Sequence, residues 1–318
     1  MNNSLADKTR FRYPMRWRIM DSLEEGANIM WPKSMSRHTG WLLLAPALLL
    51  VGILVIGLVQ IGDASFRTLD TSTYLLSENY TGANYQTIWD SSTYARIIWR
   101  SLFGAFLTVV FTLLLAFPYS YILVRTPSAM VRKTLLIILF LPFFIGQVVR
   151  AYGWLIILGN SGVVNDMLGL VGVEPIRLLF NFPAVIFGLV QYMLPFAVLL
   201  LAPALTAIPQ EIETAAGSLG ANWRQTLWHV ILPMAKPGLI GAALVVATLS
   251  LTDFAMPAML GGGSQDFIAN AIYDQFFRTA NQGLGSALAL VLVGIGSLMV
   301  GLVFVVFGAG TLGMGAKK

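Results

Sequence analysis

The chain has 318 residues, of which 57% are hydrophobic and only 11% are charged. Soluble domains carry about 25% charged residues, so this composition excludes an ordinary soluble enzyme and indicates an integral membrane protein. The net charge of +5 could suggest nucleic acid as a partner, but its distribution along the chain agrees better with membrane orientation. The chain has no cysteine, which excludes disulfides and thiol catalysis. Its two histidines, His38 and His229, have no ligand-spaced companions, so no metal site is expected.

Six apolar stretches are long enough to cross a bilayer as helices, which takes about 20 residues each. The third is interrupted by Pro142, Gln147 and Arg150, and the fifth contains Asp253. The sequence therefore predicts an all-α integral membrane protein with a basic N-terminal tail (1–40), a transmembrane domain (41–308) and a C-terminal tail (309–318). The six predicted spans are residues 41–61, 102–124, 135–158, 182–208, 238–260 and 284–307.

The lysines and arginines are distributed unequally between the two sides of this predicted bundle. Seven lie in the N-terminal tail, and the other segments on that side hold Arg125, Arg132, Lys133, Arg224, Lys236, Lys317 and Lys318. The opposite side holds Arg67, Arg96, Arg100, Arg150, Arg177 and Arg278. Because Lys and Arg mark the cytoplasmic side, both termini and residues 209–237 are predicted to face the cytoplasm.

Residues 209–237 form a polar break between the fourth and fifth spans. Pro209 suits the first position of a helix, and the macrodipole favours Glu211 and Glu213 in the first turn. Gly220 can adopt the left-handed conformation that ends a helix. We therefore expect a helix, a sharp corner and a second short helix, which Pro233 ends. The alternative is an ordinary amphipathic loop lying on the membrane surface.

The small residues in this break carry a recognisable spacing. Ala215-Ala216 is followed by Gly220, then by nine residues, then by Val230-x-Leu232-Pro233. This pattern resembles the EAA loop of permease subunits in bacterial ABC importers, so we name residues 209–237 the coupling loop. Where the family has its glutamate this chain has Thr214, and the nearest acid is Glu213. The resemblance implies contacts with an ATPase subunit at Glu211, Glu213, Thr214, Ala215, Ala216, Gly220, Trp223 and Pro233.

The same resemblance implies a fold and a set of partners. The fold is the type I importer permease, in which the last five helices form the core and span 41–61 wraps around a partner. The partners are a second permease subunit, expected to be a paralogue, two ATPase subunits, and a periplasmic binding protein that delivers solute to loops 62–96 and 261–282. The chain has no G-x-x-x-x-G-K-[ST] motif, so ATP and Mg are expected on the ATPase subunits and no cofactor on this chain. The protein would lie in the bacterial inner membrane and would not be an enzyme by itself.

Asp253 is the main candidate for a site inside the membrane. It lies about fifteen residues into the fifth span, and a carboxylate at that depth usually faces a cavity or a partner charge. Pro257, four residues later, would disturb the helical hydrogen bonds near it. Unwound backbone beside an acid can form a cation site in a transporter. The alternatives are a salt bridge with an arginine such as Arg150, or exposure at the outer interface.

Arg150, Tyr152 and Trp154 form a second candidate group. Their spacing is typical of a helix end near the lipid headgroups, where aromatic residues are enriched and arginine can stack on them. Together with Asn160-x-Gly162-Val163-x-Asn165, and with Asp253-Phe254 followed by Pro257, they resemble the permeases that import spermidine and putrescine. That branch also includes importers of opines and other small solutes.

The resemblance implies that the chain forms half of a path for a small organic cation such as a polyamine. Import of another small solute remains an alternative, and so does an ATP-independent secondary transporter, although that class leaves the coupling loop unexplained. A membrane-embedded enzyme is disfavoured because no nucleophile–base pair or carboxylate pair lies at membrane depth.

Overall fold

The computed structural model describes the backbone of residues 36–70, 72–73 and 75–311, with side chains described only between residues 44 and 305. The two predicted tails therefore fall mostly outside the described residues. The chain divides into two units, residues 1–60 and 61–318. The described part of the first unit belongs to helix α1 (Ser36–Ser65), whose stretch Leu44–Ser65 is long and apolar enough to cross a membrane.

The second unit contains a small antiparallel hairpin and most of the helices. Its elements, in chain order, are β1 (Arg67–Asp70), β2 (Leu75–Tyr80), α2 (Ala83–Asp90), α3 (Ser92–Arg125), α4 (Ala129–Phe140), a 3-10 turn (Leu141–Phe144), α5 (Gln147–Ile157), α6 (Val163–Leu170), α7 (Phe182–Thr206), α8 (Gln210–Ser218), α9 (Trp223–Thr226), a π-turn (Leu227–Ile231), α10 (Leu232–Leu251), α11 (Ala255–Leu260), α12 (Ile268–Tyr273), a second π-turn (Asp274–Arg278) and α13 (Gln282–Thr311).

The predicted all-α membrane fold is confirmed, with two spans that are not continuous helices. Within the described residues, five helices are long and apolar enough to cross a membrane, or six if one bent pair counts as a span. That pair joins Ala129–Phe144 to Gln147–Ile157 at an angle of 101°. The fifth span is helical to Leu251, unwinds over residues 252–254, and resumes as the short helix α11.

Pro233 does not end a helix, and the expectation that it would is wrong. The helix that starts at Trp223 continues through the π-turn into α10 and reaches Leu251. Pro233 is the second residue of α10, directly after the wider π-turn. Pro233 has no N–H to donate, and the wider π-turn directly before it gives room for its ring, so the helix passes through it.

The core of the second unit is formed by α3, α7 and α10. Most of the buried residues of α3 are small and recur every three to four positions: Ser101, Gly104, Ala105, Thr108, Thr112, Ala116 and Ser120. Small residues let membrane helices approach closely. The Thr108 hydroxyl donates to the Gly104 carbonyl (2.8 Å), so this polar group is satisfied within its own helix.

The hairpin was not predicted, and it lies where the sequence indicated only a polar loop. The buried Asn84 side chain donates to the carbonyls of Ser65 and Arg67, both at 2.9 Å. Gly283, at the start of α13, packs so closely that a Cβ there would lie 2.0 Å from the Arg67 carbonyl oxygen. One buried amide and one glycine thus join β1, α2 and α13 at this end of the bundle.

The contact between α7 and α10 gives a direct test of close packing. A Cβ on Gly238 would lie 2.3 Å from the Cβ of Ala204, which cannot rotate away. We expect Gly238→Ala to lower the free energy of unfolding by about 1–3 kcal/mol through overpacking. Thermal unfolding of the purified protein in detergent measures this effect.

Gly241→Ala is the matched control, because a Cβ at Gly241 would have no neighbour within 4 Å. It keeps the same helix and the same chemical change. Equal melting temperatures for the two variants would contradict the packing described for Gly238.

Candidate functional site

The coupling loop forms the predicted corner between two helices. Gly220 has φ +85°, which confirms the expected left-handed conformation. The N–H groups of Gly220 and Ala221 donate to the carbonyls of Gly217 (2.9 Å) and Ala216 (3.1 Å), so the end of α8 is closed by a Schellman motif. On the other side of the corner, Asn222 and Gln225 form a capping box that starts α9. The corner is therefore fixed by its own hydrogen bonds.

Large apolar side chains are exposed around this corner, among polar residues such as Ser218 and Asn222. Leu219, which the sequence analysis did not single out, has 89% of its surface exposed, and Trp223 and Trp228 are also exposed. Thr214 and Ala215 lie exposed on α8, and the Thr214 hydroxyl donates to the Gln210 carbonyl (3.3 Å). Of the other residues predicted to contact an ATPase subunit, Glu211 and Pro233 are exposed and Ala216 is half-buried.

Glu213 differs from Glu211, because it points into the protein. Its carboxylate accepts hydrogen bonds from Arg125 Nε (2.7 Å) and from the Tyr121 hydroxyl (2.7 Å), and it lies 2.5 Å from Arg125 Nη2. Arg125 Nη2 also donates to the Ile208 carbonyl at 2.9 Å. Neither Arg125 nor Tyr121 is predicted as a partner of Glu213 from the sequence, because nothing in their spacing indicates a contact with a residue about ninety positions away.

The bend in the third span is held by Arg150. Its Nη2 donates to the carbonyls of Pro142 and of Ile145 (2.9 Å for the latter), at the end of the first limb of the span. Arg150 is buried, and its guanidinium carbon lies 5.4 Å from the centre of the Tyr192 ring, near the middle of α7. Arg150 therefore faces the interior of the protein.

Tyr152 and Trp154 do not join Arg150 in one group. Tyr152 is 58% exposed, whereas Trp154 is half-buried and packs edge-on against Phe187 with ring centres 4.6 Å apart. Arg150 Nε and Nη1 have no hydrogen-bond partner in the described part of the chain. Of the three, only Arg150 brings unsatisfied polar groups into the interior.

Asp253 lies in the unwound segment between α10 and α11 and is buried. Its carboxylate accepts a hydrogen bond from the Met256 N–H (2.9 Å) and another from the Gln147 side-chain amide. It therefore caps the start of α11 and links it to α5. Its burial and these bonds do not support exposure at the interface.

The salt bridge considered between Asp253 and Arg150 is not found. The ion pairs among the described residues are Arg67–Asp63, Arg125–Glu213 and Arg278–Asp274. Pro257 lies buried in the first turn of α11, and the unwinding occurs just before it, where its ring would meet the carbonyl four residues earlier. We name Gln147, Arg150, Tyr192 and Asp253 the polar cluster.

Asn165, which belongs to the polyamine-type pattern, has a structural position. The buried side chain donates to the carbonyls of Gly159 (2.9 Å) and Ile176 (3.1 Å), and accepts from the Ile176 N–H (2.9 Å). A Cβ on Gly162 would lie 2.4 Å from the Ile156 carbonyl oxygen. These two residues close the loop after α5, which accounts for their part of the pattern without a solute.

Among the residues that the structure describes, no group of three or more His, Asp or Glu side chains could hold a metal ion. His229 Nδ1 lies 3.1 Å from the Gln225 carbonyl oxygen within the same helical segment. Its contact is thus local.

Comparison with known proteins agrees with this architecture. Residues 97–310 match the family described as "Binding-protein-dependent transport system inner membrane component". The spermidine/putrescine transport system permease protein PotB of Haemophilus influenzae is 33% identical over 254 residues, which are 78% of this chain and 85% of that protein. PotB of Escherichia coli is 32% identical over 263 residues (82% and 92%), and the Escherichia coli inner membrane ABC transporter permease protein YdcU is 31% identical over 265 residues (79% and 84%).

Solved structures show the same fold at lower identity. A bacterial alginate ABC transporter, in complex with a periplasmic protein bound to an alginate pentasaccharide, matches with TM-score 0.70 and 21% identity over 85% of this chain and 94% of that one. The inward-facing MetNI methionine ABC transporter matches with TM-score 0.52 and 21% identity, covering 67% and 93%. The predicted type I fold and the resemblance to ABC importer permeases of the polyamine type are confirmed.

The hydrogen bonds of Asp253 predict how its variants should fold. Asp253→Ala leaves the buried Met256 N–H and the half-buried Gln147 amide without acceptors, and we expect it to lower the free energy of unfolding by about 1–3 kcal/mol. Asp253→Asn keeps an acceptor oxygen for Met256 and a carboxamide facing Gln147, so its melting temperature in detergent should stay near that of the wild type. A stable Asp253→Ala protein would show that the carboxylate does not cap α11.

Proposed function

Because the chain belongs to the family of binding-protein-dependent inner membrane components, and is thus a permease subunit of an ABC importer, we propose that it imports a polyamine or a similar small organic cation. It forms half of the translocation path and lies as a multi-pass protein in the bacterial inner membrane. The names of the PotB relatives, at 32–33% identity over most of both chains, carry the solute assignment.

The partners of this permease follow from the same assignment. A second permease subunit, a paralogue, completes the path, and a periplasmic binding protein delivers the solute to loops 62–96 and 261–282. Two ATPase subunits bind ATP and Mg, while this chain binds no cofactor. The coupling loop and both termini face the cytoplasm, which the distribution of lysine and arginine supports.

The coupling loop, through residues 211–233, is the docking surface for an ATPase subunit. Its corner is rigid, because the Schellman motif and the capping box fix it from both sides. Leu219 is exposed at its corner, and Trp223 and Trp228 are exposed on the segments that follow. A rigid apolar projection of this kind suits insertion into a cleft on a partner, where buried aromatic side chains contribute strongly to binding.

Leu219→Asp tests this docking surface without touching the membrane core. We expect the ATPase subunits to be lost from the complex on affinity purification, because the variant places a charge in an apolar contact. Leu170→Asp is the matched control, since Leu170 on α6 is 90% exposed. The docking assignment fails if Leu219→Asp retains the ATPase as fully as Leu170→Asp does.

The polar cluster is the proposed contact for the solute inside the membrane. Asp253 supplies the negative charge for a cation, beside unwound backbone and a helix break. In the present conformation its oxygens are engaged by Gln147 and Met256. The solute ammonium group would therefore replace the Gln147 amide as the path opens, while the cap on α11 remains.

A second candidate solute class is supported by Arg150. Its Nε and Nη1 lack partners, whereas the Asp253 carboxylate already has two. Free guanidinium donors suit a carboxylate, so an opine or another amino-acid derivative is the alternative. An ATP-independent secondary transporter is less well supported, because the rigid exposed loop would have no use in it.

Uptake of labelled putrescine by the complete importer in proteoliposomes tests the cation assignment. We expect Asp253→Asn to reduce uptake about tenfold while the complex stays assembled, because one charge interaction in the path is lost. Putrescine uptake equal to the wild type, together with strong inhibition by an opine, would favour the carboxylate-bearing solute. Full-rate uptake without ATP would reject the ABC importer mechanism itself.

A further inference from the structure

Both helices of the coupling loop are attached to one end of α3 by polar and aromatic contacts. Glu213, in the first turn of α8, accepts hydrogen bonds from Arg125 and Tyr121 in the last two turns of α3. The Tyr121 ring also meets the Trp223 ring of α9 edge-on, with centres 6.5 Å apart. Two residues of α3 therefore touch the segments on both sides of the corner.

The charges in this contact are placed where each helix favours them. Arg125 lies in the last turn of α3, where the macrodipole is negative, and Glu213 lies in the first turn of α8, where it is positive. Both side chains are only 15% exposed. Arg125 reaches the Ile208 carbonyl as well, just after α7 ends, so the pair also fixes the entry to the loop.

This geometry gives the coupling loop two routes into the membrane bundle. The first is covalent, since α9 continues through the π-turn into α10. The second passes from α8 through Glu213 to α3, which has no sequence connection to the loop. Without the second route, a displacement of α8 would pass to α3 through α9 and α10, which also pack against α3.

We propose that Glu213, Arg125 and Tyr121 form an internal linkage that transmits movement of the coupling loop to α3, rather than a contact with the ATPase. Glu213 is thus a positioning residue. This inference rests on the proposed docking of an ATPase at the loop. It assigns the acid next to Thr214 an intramolecular role, and leaves Glu211 as the exposed acid of α8.

The test uses the complete importer in proteoliposomes and measures both ATP hydrolysis and solute uptake. We expect Glu213→Gln to keep the ATPase subunits bound but to lower the solute transported per ATP hydrolysed about tenfold, because the largely buried charge pair is lost. The charge reversals Glu213→Arg and Arg125→Glu should each uncouple transport. Combined in one chain, they should restore a large part of it, because the pair is re-formed.

Two further variants distinguish loss of the linkage from misfolding of the protein. Tyr121→Phe removes one hydrogen bond and should lower the transport ratio about threefold, in a protein that keeps the Arg125–Glu213 pair. Arg132 is an exposed arginine beyond the end of α3, and its side chain donates to the Thr126 carbonyl. Arg132→Gln should leave the transport ratio unchanged.

The outcomes separate this inference from the docking proposal. If Glu213→Gln loses the ATPase subunits, or if the combined reversal is no better than the single ones, Glu213 acts on the partner and the linkage is wrong. If all the variants transport as efficiently as the wild type, the linkage is also wrong. If the wild-type complex never retains an ATPase, the proposed function fails first.

Discussion

The structure depends on one constraint, which is that backbone polar groups inside a membrane must find partners within the protein. The two interrupted spans would leave such groups free, and polar side chains satisfy them. Arg150 donates to the carbonyls at the end of one limb, and Asp253 accepts from the first N–H groups of α11. Asn270 donates to the carbonyl of Phe254 (3.0 Å) in the same break. A cation meets carbonyls and an acid meets an N–H, as their charges require.

The two breaks are also joined to each other. Gln147, at the start of α5, donates to Asp253 in front of α11, so the bend of the third span and the unwinding of the fifth are linked by one hydrogen bond. Movement of either α5 or α11 would therefore stretch or break the hydrogen bond between Gln147 and Asp253. The side chains proposed to meet the solute therefore already have a structural role, and solute binding would have to exchange one partner for another.

The sequence predicted the elements that follow from local rules. The apolar stretches, the left-handed Gly220 and the helical coupling loop depend on composition and on neighbours a few residues away. Pro142, Gln147 and Arg150 indicated that the third span is interrupted, but such an interruption does not predict a bend of 101°. The course of the helix through Pro233 depends on a π-turn, which has no reliable pattern. The partners of Glu213 are about ninety residues away, so only the folded chain reveals them.

The coupling loop is attached to α10 through the chain and to α3 through Glu213. Because small residues on α3 let it pack closely with α7 and α10, both attachments act on one packed group of helices. Thr108, Thr112 and Ala116 are fully buried between α3, α7 and α10, and Gly238 leaves no space between α7 and α10. Close-packed interiors transmit displacement because they cannot absorb it by compression. The helices are interrupted elsewhere, at the breaks before α5 and α11. Force entering at the loop would move the packed helices together, and the change of shape would be concentrated at the polar cluster, where the solute is proposed to bind.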